Sequence, residues 1–389
     1  MSAETLSPGD LAIDHELAQL GESFRFLLDV TPIDVESARH DFLVGDGSEP
    51  RFTYRDLEAD PEVLGAMLAS IDVSSVEDTT LGHLLRAKHR EIELQLDMLR
   101  TRCTDEFRLL SIELYGAVAP GLLERAETLL DRVPHAASRH SGRIGAADFA
   151  ELAEVELEHY RAIDPDIGVH VELRPDVAGI MVSGPVLLVN PNATVRSDRV
   201  PALLQHEVGT HLVTHVNGAH QPVRVMATGL AGYEATQEGL AVFAEYLVGG
   251  LSALRLRQLA GRVVAVHEMV AGTSFADVHR GLVDAGFPAT SAFAMTMRVF
   301  RSGGLTKDAI YLRGLVDILE HLDRGGDLDL LWLGKFSLDD LPLVAELAGR
   351  GALVDARLRP RFLDDPDALA RLKCAAEISD VAQLAEGTA

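Results

Sequence analysis

Two changes of hydrophobic period along the chain predict an α+β fold that is mostly helical. About 145 residues of helical periodicity come first, period-two alternation follows near residues 169–189, and helical patterns return from residue 197 onward. The break near 145 divides the sequence into a helical N-terminal region, 1–145, and a second region, 146–389, that carries a small sheet and further helices. With 47% apolar and 24% charged residues, the 389-residue chain can bury a sizeable core and is not disordered.

In the N-terminal region the clearest helix covers residues 80–102. Leu81, Leu84, Leu85, Ile92, Leu96 and Leu99 recur on one face, with Arg86, Arg90, Glu91 and Glu93 over the rest. A second helix, 107–115, follows Thr104, a residue type that caps helix starts. Residues 133–145 combine Pro, His, Ser and Gly and predict a loop. A helix over 146–163 then runs into the turn signal Asp164-Pro165-Asp166.

Residues 169–173 alternate like a strand, and 178–182 and 186–189 predict two more, joined by Ser183-Gly184-Pro185 and closed by Asn190-Pro191-Asn192. Ser197 or Asp198 caps a helix through Val200, Leu203 and Leu204 that ends near Asn217-Gly218. Further helices are predicted from about Glu234 and over 254–270, 275–285 and 308–322. Ser337 and Asp340 form a variant capping box for 341–347. No internal repeat or low-complexity segment is visible.

Charge narrows the partners. Lys and Arg total 35 against 60 Asp and Glu, a formal charge of −25, which predicts no nucleic-acid or anionic-membrane partner and argues against a strongly acidic substrate. Cys103 and Cys374 are too few for a disulfide framework or a cysteine zinc site. No basic leader opens the sequence and no run of 18 apolar residues occurs, so a cytoplasmic location is expected.

The stretch that bears chemistry is His206-Glu207-Val208-Gly209-Thr210-His211. Zinc peptidases carry two histidines at i and i+4 with a glutamate general base after the first. Here the spacing is one residue longer. On a regular α-helix that leaves the imidazoles about 140° apart, whereas a π-bulge would return them to one face. His211 and His215 form a rival i, i+4 pair without an adjacent base. A third ligand on the next helix fits Glu238, in Gln237-Glu238-Gly239-Leu240-Ala241, while Glu234 and Glu245 share roughly its face and spacing does not separate the three.

Together these two motifs resemble the QEGLA-motif proteins, labelled flavohemoglobin expression-modulating, and are similar to the microtubule-associated tyrosine carboxypeptidases. Phe52-Thr53-Tyr54, Leu114-Tyr115-Gly116 and residues 305–312 extend the resemblance over most of the chain, with a shorter segment at 298–304. The resemblance implies one zinc ion per chain, held by His206, His211 and Glu238, with Glu207 as general base. It implies a gluzincin-like zinc metallopeptidase over 146–389 that removes a C-terminal residue from a peptide or protein. An endopeptidase or aminopeptidase with the same site, and a non-catalytic zinc-containing regulator, are the alternatives. A base beside a ligand favours catalysis.

A carboxypeptidase also needs a cation for the terminal carboxylate, and Arg298, Arg301 and Lys307 are the candidates. Tyr233 and Tyr311 are candidate donors to the oxyanion. The strand at 186–189 offers an edge for an extended peptide.

Overall fold

The computed structural model describes residues 6–45, 48–135, 142–177, 179–378 and 380–388. The predicted loop at 133–145 and the predicted strand start at Ala178 lie partly outside the described residues. Helices dominate, and two small sheets occupy the middle of the chain.

Helix α1, Thr79–Arg100, is the long N-terminal helix the sequence predicts. Asp78 caps it by accepting from the Leu81 amide at 2.8 Å, and the five leucines and one isoleucine of the predicted face are all buried. Glu91 departs from its expected surface position. It is buried, pairs with buried Lys88 at 2.6 Å, and accepts the Gly232 amide at 2.7 Å, so α1 pins the start of a later helix. Thr104 does stand before the next helix, Asp105–Tyr115, but its hydroxyl donates back to the Thr101 carbonyl and makes no cap.

Arg143–Gly145 (β1) leads into Ala146–Ile163 (α2). Strands β2 (His170–Leu173), β3 (Ile180–Ser183) and β4 (Val186–Val189) form one sheet in the order β2-β4-β3, with β2 parallel and β3 antiparallel to β4. Gly184, at φ 56°, turns the β3–β4 hairpin in a conformation that suits glycine. The predicted peptide edge at 186–189 is therefore corrected: β4 is the central strand, hydrogen-bonded on both sides. Thr194–Arg196 (β5) pairs antiparallel with β1 across the intervening chain.

The predicted helix after Ser197 is three segments: α3 (Val200–His206), a π-helical turn (Glu207–Leu212) and α4 (Val213–His220). Tyr233–Leu247 (α5), Ala253–Val270 (α6), Ala289–Phe300 (α7) and Ile310–Asp323 (α8) follow. Ser337 caps a 3-10 turn, Leu338–Asp340, through the Asp339 amide, so the predicted capping box is replaced by a tighter turn.

Of the four apolar clusters among the described residues, two carry the candidate site. The larger runs from Leu6 to Leu384 and includes α1, α5, α6 and α8. The smaller is built on α2, the sheet and the inner face of α3 and α4, through Leu204, Val208, Leu212 and Val216. The helix carrying the histidines thus belongs to one cluster and α5 to the other.

Candidate metal centre

The π turn resolves the spacing problem posed by the sequence. Over Glu207–Leu212 each backbone bond spans one residue more than in an α-helix, which absorbs the extra position between His206 and His211. Their rings stand edge to face with centroids 5.1 Å apart. Thr210 supports the widened turn by donating its hydroxyl to the Gln205 carbonyl at 2.9 Å, five residues back. Gly209 leaves room inside the turn, since a Cβ there would lie 2.3 Å from the Gln205 amide oxygen and 3.2 Å from the Phe362 ring.

Glu238 comes from α5, which crosses α8 at two glycines. A Cβ on Gly239 would fall 2.3 Å from the Gly314 carbonyl carbon. This close approach brings Glu238 Oε2 to 3.6 Å from His206 Nε2 and 3.7 Å from His211 Nε2. Among the described residues, His206, His211 and Glu238 form a group able to hold a metal ion, with one ligand atom from each inside a 4.8 Å span. Two ligands at zinc-like bond lengths in a tetrahedral site stand roughly 3.3–3.5 Å apart, close to the spacing found.

The donor chemistry fits a cation. Glu238 Oε2 is buried with no hydrogen-bond partner, an orphan that a metal would satisfy. Each imidazole has its other nitrogen engaged: His206 Nδ1 lies 2.9 Å from Glu245 Oε1, and His211 Nδ1 3.4 Å from Gln237 Oε1. Such partners orient metal-binding histidines and leave Nε2 free. Burial opposes charge on His206, but the facing carboxylates of Glu238 and Glu245, with the charge of Glu207, outweigh it and hold the imidazole up at about 10. Burial likewise opposes the Glu238 anion, yet His206, His211 and Lys307 keep its carboxyl well below the usual range.

Glu207 is 7% exposed, and burial raises its carboxyl above the ordinary value against the opposing pull of the two histidines. With His206 it lines a cavity of about 330 Å³ whose walls also hold Arg196, Arg199, Arg255, Arg262, Arg298, Gln258 and Tyr311. Five arginines therefore converge on the site of a chain whose net charge is −25. Net charge sets the far field, and the local wall has the opposite sign. Arg199 and Arg255 are held by Glu245 at 2.5 and 3.2 Å, and Arg298 by Asp308 in two contacts of 2.6 and 2.8 Å. Arg262 is the least compensated. Its Nε is buried without a hydrogen-bond partner, 3.9 Å from Asp308, and its guanidinium lies 5.1 Å from the Tyr311 ring centroid. Burial, helped by Arg298, pulls its pKa down to about 10.

The predicted substrate residues divide. Arg298 and Tyr311 line the cavity. Lys307 does not: its side chain is 4% exposed and its ammonium is 3.2 Å from Glu234, so a substrate carboxylate has no path to it. Arg301 is also buried away from the cavity and donates to Thr31 Oγ1. Tyr233 lies under the Lys88 ammonium, outside the cavity lining. His215 turns its Nδ1 to the Ala227 carbonyl, 3.3 Å away, and stands outside the ligand group. Sequence reasoning missed Glu245 as the partner of His206 and missed Arg262 and Arg255. The heptad interval from Glu238 to Glu245 was the one available signal for the first; Arg255 and Arg262 stand at the same interval on α6, but nothing in the sequence turns that face toward the histidines.

Fold and site together define a mostly helical α+β protein with a two-histidine, one-carboxylate centre and a carboxylate beside it. The chain belongs to the microtubule-associated tyrosine carboxypeptidase family, whose family model matches residues 41–380. The human microtubule-associated tyrosine carboxypeptidase 1 is 30% identical over 195 residues, 47% of this chain and 40% of that protein. Human MATCAP2, a tyrosine carboxypeptidase by its provisional name, is 29% identical over 233 residues, 55% of this chain and 43% of its own. The chain thus spans less than half the length of these curated relatives. Among solved structures, a candidate lipoprotein from Colwellia psychrerythraea aligns with a TM-score of 0.43 and 12% identity, over 81% of this chain and 68% of that one. No helix among the described residues is long and apolar enough to cross a membrane.

Proposed function

We propose that the protein is a zinc-dependent carboxypeptidase that removes a C-terminal residue from a peptide or protein. The observation that carries this reading is the convergence of His206, His211 and Glu238, with His206 and the adjacent Glu207 lining an arginine-rich cavity. These three residues would hold the ion, which when bound supplies a Lewis acid and an acidified water. The QEGLA-type sequence Gln237-Glu238-Gly239-Leu240-Ala241 gives the centre its third ligand, and Gln237 steadies His211.

Glu207 is the general base. Its raised pKa suits a group that takes a proton from the attacking water and returns it to the leaving amine. Tyr311 is the donor to the developing oxyanion, a role supported by its position on the cavity wall. Arg262, with its unpartnered Nε, is the seat for the substrate's free carboxylate, and Arg298 stands beside it. Of the three cations the sequence offered for this role, Arg298, Arg301 and Lys307, Arg298 remains, and Arg262 replaces the other two. A regulator that kept the ion for structure alone would have no use for a buried base or a basic cavity.

The test uses a peptide with a free C-terminus and the same peptide amidated. The free acid should lose its last residue and the amide should resist. Glu207→Gln should slow hydrolysis by about 10²–10⁴-fold with metal retained, and Arg262→Gln should lower kcat/KM on the free acid only. Cleavage of both peptides at internal bonds would make the enzyme an endopeptidase, and undiminished cleavage by Glu207→Gln would end the proposed chemistry.

A further inference from the structure

Resting on the reading of His206, His211 and Glu238 as a metal centre, we propose that Lys307 is a positioning residue that engages one carboxylate oxygen of Glu238 and commits the other to the histidines. Lys307 sits in a 3-10 turn, Thr306–Ala309, just before α8. The turn is fixed by Thr306, whose amide donates to Ser111 Oγ at 2.8 Å and whose hydroxyl donates to the Ser111 carbonyl at 2.9 Å. From there the ammonium reaches into the protein between the rings of Tyr115 and Tyr311, 6.0 and 5.7 Å from their centroids.

Its two anionic partners have different roles. Glu234 Oε1 lies 3.2 Å away and holds the ammonium in place, while Glu238 Oε1 lies at 3.7 Å, a Coulombic contact rather than a hydrogen bond. On the far side of the same carboxylate, Oε2 has no donor and faces both Nε2 atoms at 3.6 and 3.7 Å. A free carboxylate has two equivalent oxygens and can swing either, or both, toward a cation. A buried ammonium on one side removes that equivalence, because turning Oε1 inward would leave Lys307, whose own side chain is 4% exposed, with Glu234 as its one anionic partner. Lys307 therefore fixes how many oxygens Glu238 contributes, in the manner of outer partners that orient metal ligands.

The experiment is Co²⁺ binding to the full chain, read by the visible ligand-field spectrum and by competition with a chromophoric chelator. The proteins compared are wild type, Lys307→Met, Glu234→Gln and the double variant Lys307→Met/Glu234→Gln. The double variant removes both buried charges and so avoids the unpaired Glu234 that could unfold the single variant; circular dichroism checks the fold. Lys307→Met and the double variant should bind Co²⁺ about 10–100-fold more weakly with an altered band intensity. Glu234→Gln, which keeps the ammonium beside Glu238, should retain the wild-type spectrum. A wild-type spectrum and affinity in the folded double variant would overturn the role of Lys307, as would an equal change in Glu234→Gln, which would make the group a structural ion pair. Failure of the wild type to take up Co²⁺ would remove the metal centre itself, and the inference with it.

Discussion

At the scale of single residues, the centre is a set of imidazoles whose outer nitrogens are already spoken for. Glu245 accepts from His206, and two arginines hold Glu245 in place and keep its carboxyl ionised despite burial. Removing a ligand should therefore cost more than removing a partner. His206→Ala, His211→Ala and Glu238→Ala are each expected to abolish stoichiometric zinc, measured by elemental analysis after dialysis. Glu245→Gln should weaken zinc by about 10–100-fold and leave a bound ion at high zinc. His215→Ala should keep full zinc, because its ring serves the Ala227 carbonyl. Loss of zinc from His215→Ala with retention in His206→Ala would transfer the site to the undistorted pair.

Elements set how closely those residues meet. Helices α5 and α8 cross glycine on glycine, and a Cβ on Gly314 would stand 1.8 Å from the Ala235 carbonyl oxygen. Gly314→Ala must push the helices apart, which should cost about 1–3 kcal/mol in urea unfolding and weaken metal binding by shifting Glu238. Gly281→Ala is the control: on the exposed side of Phe275–Asp284 its Cβ meets nothing within 4 Å, so the helix should gain about 0.5–1 kcal/mol. If both variants behaved alike, the crossing would not be the tight one seen here. Elements with a strong period were legible in sequence: α1, α2 and the β3–β4 hairpin stand within two or three residues of expectation. The π turn was legible because His206 and His211, five residues apart, cannot otherwise share one helix face. Helix α7 was not, although one of its faces is apolar: Pro288 stands at its N-cap and no side chain caps its first turn, so the usual start signal is missing. Strands β1 and β5, three residues each, are too short for period two to show, and their pairing is a property of the folded chain. Lys307 misled for a related reason: a cation in an acidic sequence reads as exposed, and only tertiary packing puts it beside Glu234.

For the whole molecule, the centre joins the two packing units. His206 and His211 ride on the segment whose inner face belongs to the sheet-side cluster, while Glu238 rides on α5, part of the larger cluster from Leu6 to Leu384. Direct ties cross the same boundary, such as Asn217, which donates to the Trp332 carbonyl at 2.7 Å. A metal at His206, His211 and Glu238 adds one more and relieves the repulsion among Glu207, Glu238 and Glu245. Binding to the folded state alone should then raise its stability by about 2.7 kcal/mol when free zinc is 100 times Kd, seen as an upward Tm shift of a few degrees over the EDTA-treated protein. Glu207→Gln, which keeps every ligand, should show the shift in full, and His206→Ala and Glu238→Ala should show none. A shift of equal size in the ligand variants would mean that zinc acts elsewhere on this acidic surface. No shift in the wild type would mean that the two clusters are held together without it.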